Sequence, residues 1–225
     1  MSLSIIIPCL NEEKSISKLI NEIISVIDEK FEYEIIVVDD CSKDKTADTV
    51  EEIIKKQRFV KLIRNSSNFG YGGAFKEGLK FATKKYCTII PGDGETNVKL
   101  ILNTFFKIKS FNKIIFYNLD NDRGFTRNFL SNYYTKIMNF FFKLSLRYYN
   151  GSFFYSTEDL SKIKISSDGF FFLTEMIVKL IKLNPEYLEL PLSLKNKTNL
   201  KSSAIKISNL VFLLKDFLKL YLFNK

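Results

Sequence analysis

The stretch Tyr33-Glu-Ile-Ile-Val-Val-Asp-Asp-Cys-Ser-Lys-Asp-Lys-Thr46 decides the fold. Tyr33–Asp39 reads as a strand, and its unbroken β-branched run Ile35–Val38, with no polar residue on alternate positions, says that both faces are covered. It stops in two carboxylates, Asp39 and Asp40. Ser42 and Asp44 then offer capping groups to a helical pattern over 45–57. The same unit recurs on either side. Upstream stand a strand over Leu3–Pro8 and a helix over 15–30. Downstream come a strand over Val60–Arg64, a Gly-rich turn with a helix over 72–85, and a strand over Cys87–Pro91. A helix over Val98–Ser110 and a strand over Lys113–Tyr117 complete the series. Strands alternating with helices of this length give βαβ units, hence an α/β fold with a mostly parallel central sheet flanked by helices. Such sheets bind ligands outside the carboxyl ends of their strands, which points to Pro8–Glu13, Asp39–Asp44 and Pro91–Glu95.

The 225 residues carry no histidine, which excludes Ser-His-Asp and Cys-His catalysis and every imidazole metal site. Acid–base work falls to carboxylates, Lys, Tyr or Cys, and a bound metal would sit on oxygen. Three cysteines are too few for a disulfide framework, which fits a reducing cytosol. The first residues lack a signal peptide's basic start, and no apolar run reaches the roughly 18 residues of a membrane span. The expected location is therefore cytoplasmic. The net charge of +9 is uneven: residues 195–225 hold seven lysines against Asp216 alone. Such a tail suits an anionic partner.

Beyond residue 120 the texture changes. Ten of the 23 positions from Tyr133 to Tyr155 are Phe or Tyr, enough for a thick core layer or for a surface that meets a greasy acceptor. Residues 205–223 draw as a helix with Ser208, Lys215, Asp216 and Lys219 on one side. Leu210, Leu214, Phe217, Leu218 and Tyr221 lie opposite. That arc suits a lipid surface or a protein partner.

Three places carry chemistry. Asp40 follows the buried strand and is a candidate ligand contact. The turn Asn68-Phe-Gly-Tyr-Gly-Gly-Ala74 fits neither a dinucleotide fingerprint nor a phosphate loop, so Gly72, Gly73 and Gly78 read as close-packing residues. Pro91-Gly-Asp-Gly-Glu95 presents two carboxylates, Asp93 and Glu95, from a flexible turn to one hard cation.

Together these pieces resemble the family 2 glycosyltransferases of the GT-A fold, in particular the dolichyl- and polyprenyl-phosphate sugar transferases. The matching segments are Ile5–Glu13 (IIIPCLNEE), Glu34–Thr46 (EIIVVDDCSKDKT), Asn68–Gly78 (NFGYGGAFKEG) and the acidic turn at Asp93. The resemblance implies a nucleotide-diphosphate sugar donor, Mg²⁺ or Mn²⁺, and transfer with inversion. It implies Pro8, Leu10, Asn11 and Glu12 against the nucleotide, Val38 and Asp40 at base and ribose, and Gly92 and Asp93 at the diphosphate. The family's D-x-D motif falls on Pro91-Gly92-Asp93, so Asp93 is the implied metal ligand and Glu95 the replacement for the missing carboxylate. Glu189-Leu-Pro-Leu-x-Leu-x-x-Lys197 resembles a later motif that places Lys197 at the diphosphate in place of arginine. Glu175 matches a carboxylate near the acceptor.

On this resemblance residues 1–204 form the glycosyltransferase domain, with a nucleotide-binding half (1–120) and an acceptor half (121–204), followed by an amphipathic helix over 205–225. The implied acceptor is a polyprenyl phosphate or a cell-envelope glycan precursor. A hydroxyl acceptor needs a base, for which Glu175 and Asp168 are the candidates; a lipid phosphate needs none, being largely ionised near neutral pH. The aromatic stretch and basic tail favour a lipid-linked acceptor, with the tail on the anionic inner face of the plasma membrane. Nucleic acid is not expected as a partner, because most of the net positive charge sits in the tail and is not spread along the aromatic region. Pro91 leaves one alternative, an inactive module that only binds the nucleotide sugar.

Overall fold

The computed structural model describes residues 1–28, 31–108, 113–118, 125–192 and 215–222. Strand and helix alternate through β1 (Ser2–Cys9), α1 (Ile16–Val26), β2 (Glu32–Asp39), α2 (Thr46–Ile54), β3 (Val60–Arg64), α3 (Gly70–Leu79), β4 (Tyr86–Ile89), α4 (Val98–Lys107) and β5 (Lys113–Asn118). There follow α5 (Phe125–Phe142), β6 (Phe153–Ser156), α6 (Thr157–Lys162), α7 (Phe172–Leu183) and β7 (Leu188–Leu192), and a last helix, α8, over 215–222. The seven strands form one sheet in the order β3-β2-β1-β4-β6-β5-β7. All pairings are parallel except those of β6, which runs antiparallel between β4 and β5. The mostly parallel α/β architecture expected from the sequence is thus observed, and the antiparallel strand is the addition.

The unbroken apolar runs have a direct cause. Ile6, Ile36 and Val38 enter a core cluster with residues of α3, α5 and α7. Their neighbours Ile5, Ile7, Ile35 and Val37 enter a second cluster with α1 and α4. Both faces are covered, so neither can be polar. Helix α3 lies hard on the sheet because it carries glycine there. A Cβ on Gly78 would meet Ile6 Cγ2 at 2.6 Å and Val38 Cγ2 at 2.9 Å. The helix stops at Leu79, short of the expected residue 85, because Thr83 is claimed by β2. Its amide and hydroxyl donate to Glu34 Oε1 at 2.6 and 2.9 Å.

The aromatic stretch divides. Tyr149, Phe153, Phe154 and Tyr155 are fully buried, with the Phe153 and Tyr155 rings stacked at 4.3 Å. On α5, Met138 and Phe142 face inward, whereas Phe129, Tyr133 and Phe140 are exposed. The tail divides too. In α8 the Phe217 ring meets Phe141 and Phe142 at 5.0 and 5.9 Å, and Leu220 is buried. Leu218 and Leu222 point outward. Residues 205–214 lie outside the described residues. Among the described residues no helix is long and apolar enough to cross a membrane.

Candidate functional site

The carboxyl ends of β1, β2 and β4 carry three loops that are sewn together by side-chain-to-backbone hydrogen bonds. The loop after β1 binds the loop after β2. Asn11 N donates to Ser42 Oγ (2.8 Å), Glu12 N to Thr46 Oγ1 (2.7 Å) and Glu13 N to Asp44 Oδ2 (3.1 Å). In return Lys43 N donates to Asn11 Oδ1 (2.8 Å) and Lys45 N to Glu13 Oε2 (3.0 Å). Asn11 adopts a φ of 59° to do this, a left-handed conformation that Asn tolerates better than most residues. Its side chain is therefore committed to the loop junction.

The loop after β4 closes onto the same edge. Gly92 N donates to the Pro8 carbonyl at 3.1 Å, and a Cβ on Gly92 would meet Cys9 Cβ at 2.7 Å. Ser15 Oγ lies 2.7 Å from Glu12 Oε2 and 2.9 Å from the Gly92 carbonyl, so one hydroxyl ties both loops. Asp93 stands exposed at the tip, where its Oδ1 accepts from Glu95 N at 3.0 Å. Its charge is felt by two neighbours. The half-buried Glu12 carboxyl is raised above its usual value, first by burial and then by the charges of Asp93 and Asp44, against the Ser15 hydrogen bond. Burial and then Asp93 push the Tyr71 phenol up as well. Glu12, Asp93 and Tyr71 thus share one electronegative spot, beside which Leu10 is exposed. The nearby Cys9 thiol is pushed up by burial and by Asp39, so it is no nucleophile.

Asp40 is placed otherwise than its sequence position suggests. It is buried, and Oδ1 accepts from Asn65 Nδ2 (2.7 Å) and Phe69 N (2.9 Å) while Oδ2 accepts from Gly70 N (2.8 Å). The carboxylate clamps the Gly-rich turn instead of facing open solvent. Gly70 takes a φ of +78°, and Gly72 N and Gly73 N donate to the Asp168 carbonyl at 2.8 and 3.2 Å. The first amides of α3 are therefore occupied, and the structural reading of this turn holds. Val38 is buried against Gly78, and its carbonyl accepts from Cys9 Sγ. It shapes the edge from beneath.

Residues 4–166 match the family described as Glycosyl transferase family 2. The chain belongs to that family. It is 38% identical over 105 residues to a dolichyl-phosphate beta-glucosyltransferase of Dictyostelium discoideum, covering 43% of this chain and 32% of that one. It is 28% identical over 188 residues to a dolichol-phosphate mannosyltransferase of Pyrococcus furiosus, covering 82% of this chain and 49% of that one. The chain thus spans a third to a half of the length of these curated relatives. In three dimensions it is similar to glucosyl-3-phosphoglycerate synthase from Mycobacterium tuberculosis, solved with Mg²⁺ and uridine-diphosphate. The TM-score is 0.74 over 97% of this chain and 79% of that one, at 14% identity, a likeness of fold. The sheet is that of the GT-A glycosyltransferases.

The remaining candidates of this family 2 member lie apart from Glu12 and Asp93 in character. Glu175 is buried on α7, and its oxygens accept from Ser166 N (3.0 Å), Ser167 N (2.8 Å) and Lys179 Nζ (2.6 Å). Asp168 pairs with Lys76. Lys197 lies outside the described residues. Among the described residues no three His, Cys, Asp or Glu side chains gather as a metal site. The described residues thus offer a cation at most a pair of carboxylates there, and substrate phosphates and water would complete an oxygen shell. Sequence reasoning missed Ser15 and Tyr71. Tyr71 had a signal, being the single polar side chain between Gly70 and Gly73. Ser15 had none, because its partner Gly92 is 77 residues away.

Proposed function

We propose that the chain is the donor-binding and transfer unit of an inverting glycosyltransferase that moves a sugar from a nucleotide-diphosphate sugar to a polyprenyl phosphate. The observation that carries this reading is the electronegative spot of Glu12 and Asp93 at the junction of three strand ends. Among the described residues neither carboxylate forms an ion pair, and a cation with a diphosphate would relieve the like charge that Asp93 sets against Glu12. Residues 1–120 would hold the donor and residues 121–204 the acceptor. Pro8, Leu10, Glu12 and Gly92 would form the floor and wall against the nucleotide, with Asn11, Val38 and Asp40 shaping that wall through the loops they fix. Asp93 would hold Mg²⁺ or Mn²⁺, with Glu95 as the second carboxylate. When bound, the cation neutralises charge developing on the leaving diphosphate. Lys197 would add a point charge to the same oxygens. A phosphate acceptor brings its own ionised nucleophile, so no base is required and Glu175 acts by holding the 166–167 backbone. The lipid acceptor and the dolichyl-phosphate relatives support a membrane-surface location.

The test is thermal stabilisation by UDP-, GDP-, CDP- and dTDP-sugars with and without Mn²⁺. One donor at 100 times its dissociation constant should stabilise the protein by about 2.7 kcal/mol. Asp93→Asn should remove the Mn²⁺ enhancement, and Glu95→Gln should reduce it nearly as much if Glu95 replaces the motif's first aspartate. No stabilisation by any sugar nucleotide would end the proposal. Stabilisation without turnover onto a polyprenyl phosphate would favour the inactive binding module that Pro91 suggests.

A further inference from the structure

We infer that the outward face of α5, continued by α8, seats on the headgroup layer of an anionic lipid bilayer. Helix α5 inverts the usual rule for a surface helix. Its inner side supplies Met138 and Phe142 to the core, yet its outer side is also aromatic: Phe129, Tyr133 and Phe140 are 61%, 59% and 79% exposed. These positions, at spacings of four and seven, lie along one face, and the Phe129 and Tyr133 rings stack in parallel. Leu130 and Phe141 widen the strip, and the Phe141 ring reaches Phe217 and Tyr221 of α8 at 5.0 and 5.3 Å. From there Leu218 and Leu222 carry the exposed apolar surface onward. An apolar strip of this extent on a soluble surface marks a docking face.

The charge around the strip selects the occupant. Residues 123–157 contain five Arg or Lys and no Asp or Glu. Lys136 and Lys143 of the α5 region are exposed among these rings, Lys215 of α8 is exposed as well, and none of the three makes an ion pair among the described residues. Rings flanked by unpaired lysines fit a bilayer interface, where aromatics sit at headgroup level and ammonium groups meet anionic lipid. A second copy of this +9 chain would set like charge against like. The lipid contact thus falls on a face contributed mainly by α5, because Phe217 on the tail's apolar arc is taken up against Phe141 and Phe142. It rests on the lipid-acceptor reading for its purpose, and its test is separate from donor binding.

The experiment is co-sedimentation of the full chain with phosphatidylglycerol–phosphatidylcholine vesicles and with pure phosphatidylcholine vesicles, at low and high salt. The protein should pellet with the anionic vesicles and be released as salt rises. Phe129→Ser with Phe140→Ser should lower the vesicle affinity by about tenfold or more, since each ring is an interfacial anchor. Lys136→Glu with Lys143→Glu should lower it several-fold at low salt only. Sugar-nucleotide stabilisation should be the same in all variants. Absence of vesicle binding at any salt overturns the inference, as does undiminished binding of the Phe129/Phe140 variant, which would put the contact elsewhere. A dimer in sedimentation velocity that Phe140→Ser dissolves also overturns it and assigns the face to a second copy. Loss of donor stabilisation with vesicle binding intact would instead strike the proposed function alone.

Discussion

Two acidic regions of this protein handle charge in opposite ways. Under α7, Glu175 receives two backbone amides and the Lys179 ammonium, Asp168 receives Lys76, and Asp216 of α8 receives the Ser167 hydroxyl at 2.6 Å. Each carboxylate there meets a donor, so the region is complete without a ligand. At the β1/β4 edge, Glu12 has one hydroxyl partner, Ser15, and two like charges, Asp93 and Asp44, that raise its carboxyl. The first arrangement builds structure. On the proposed function the second would hold binding capacity, because a group left short of partners in the folded chain gains most when a cation or a donor-rich ligand arrives.

The contrast breaks most clearly at Glu175. Glu175→Ala strands two buried amides and a lysine, a loss expected to cost about 3–5 kcal/mol of stability in urea unfolding. Donor affinity of the folded fraction should stay near the original value. If stability held while turnover collapsed, Glu175 would belong with the reacting groups, and the division between the two regions would fail.

Much of this was legible in the sequence, for a reason particular to parallel sheets. A strand such as Ile35–Val38 is buried on both sides, so its run has no polar break, and the residues that follow it must be the edge. Five strands were read this way to within two residues at each end, and the helices between them in the right order, although α3 ends six residues early. The antiparallel β6 was not, because Phe153–Ser156 sits in an aromatic stretch whose pattern has no period of its own. Nor was the use of Asp40. Its position at the strand end was visible, but its donors, Asn65, Phe69 and Gly70, lie 25 to 30 residues away and arrive only when β3 docks beside β2. Glu175 was hidden likewise: nothing local says that the Ser166–Ser167 backbone turns back onto it.

Asp40 lies at the same strand-end edge as Glu12, yet it is built like Glu175, with three donors on its carboxylate. Asp40→Ala should lower stability by about 2–3 kcal/mol, since three donors lose a charged acceptor. Donor binding should weaken in step, because the freed turn carries Tyr71 beside Asp93. Asp40→Asn, which keeps one good acceptor, should fall about halfway in both measurements. Calorimetry showing abolished binding with unfolding unchanged would mean that the carboxylate touches the nucleotide itself.

The smallest expected effect concerns Glu12 and is read from pH. Its folded-state value lies above the usual 4.5, chiefly through burial, so folding favours the protonated form. The stability this contributes is fully present below the unfolded value and is lost as pH rises through the folded one. Ionised Glu12 is therefore a mild burden at neutral pH, and because the side chain is half-exposed the burden should be under about 1 kcal/mol. Glu12→Gln should raise the melting temperature slightly at pH 7 and leave it unchanged at pH 3.5. A cation at Asp93 favours the ionised form of its neighbour, so by linkage Mn²⁺-assisted donor binding should strengthen as pH rises past the folded value and fade below it. Glu12→Gln should flatten that part of the profile. Wild type and variant sharing one pH profile would show that Glu12 does not feel the cation, and the uncompensated pair would shrink to Asp93 alone.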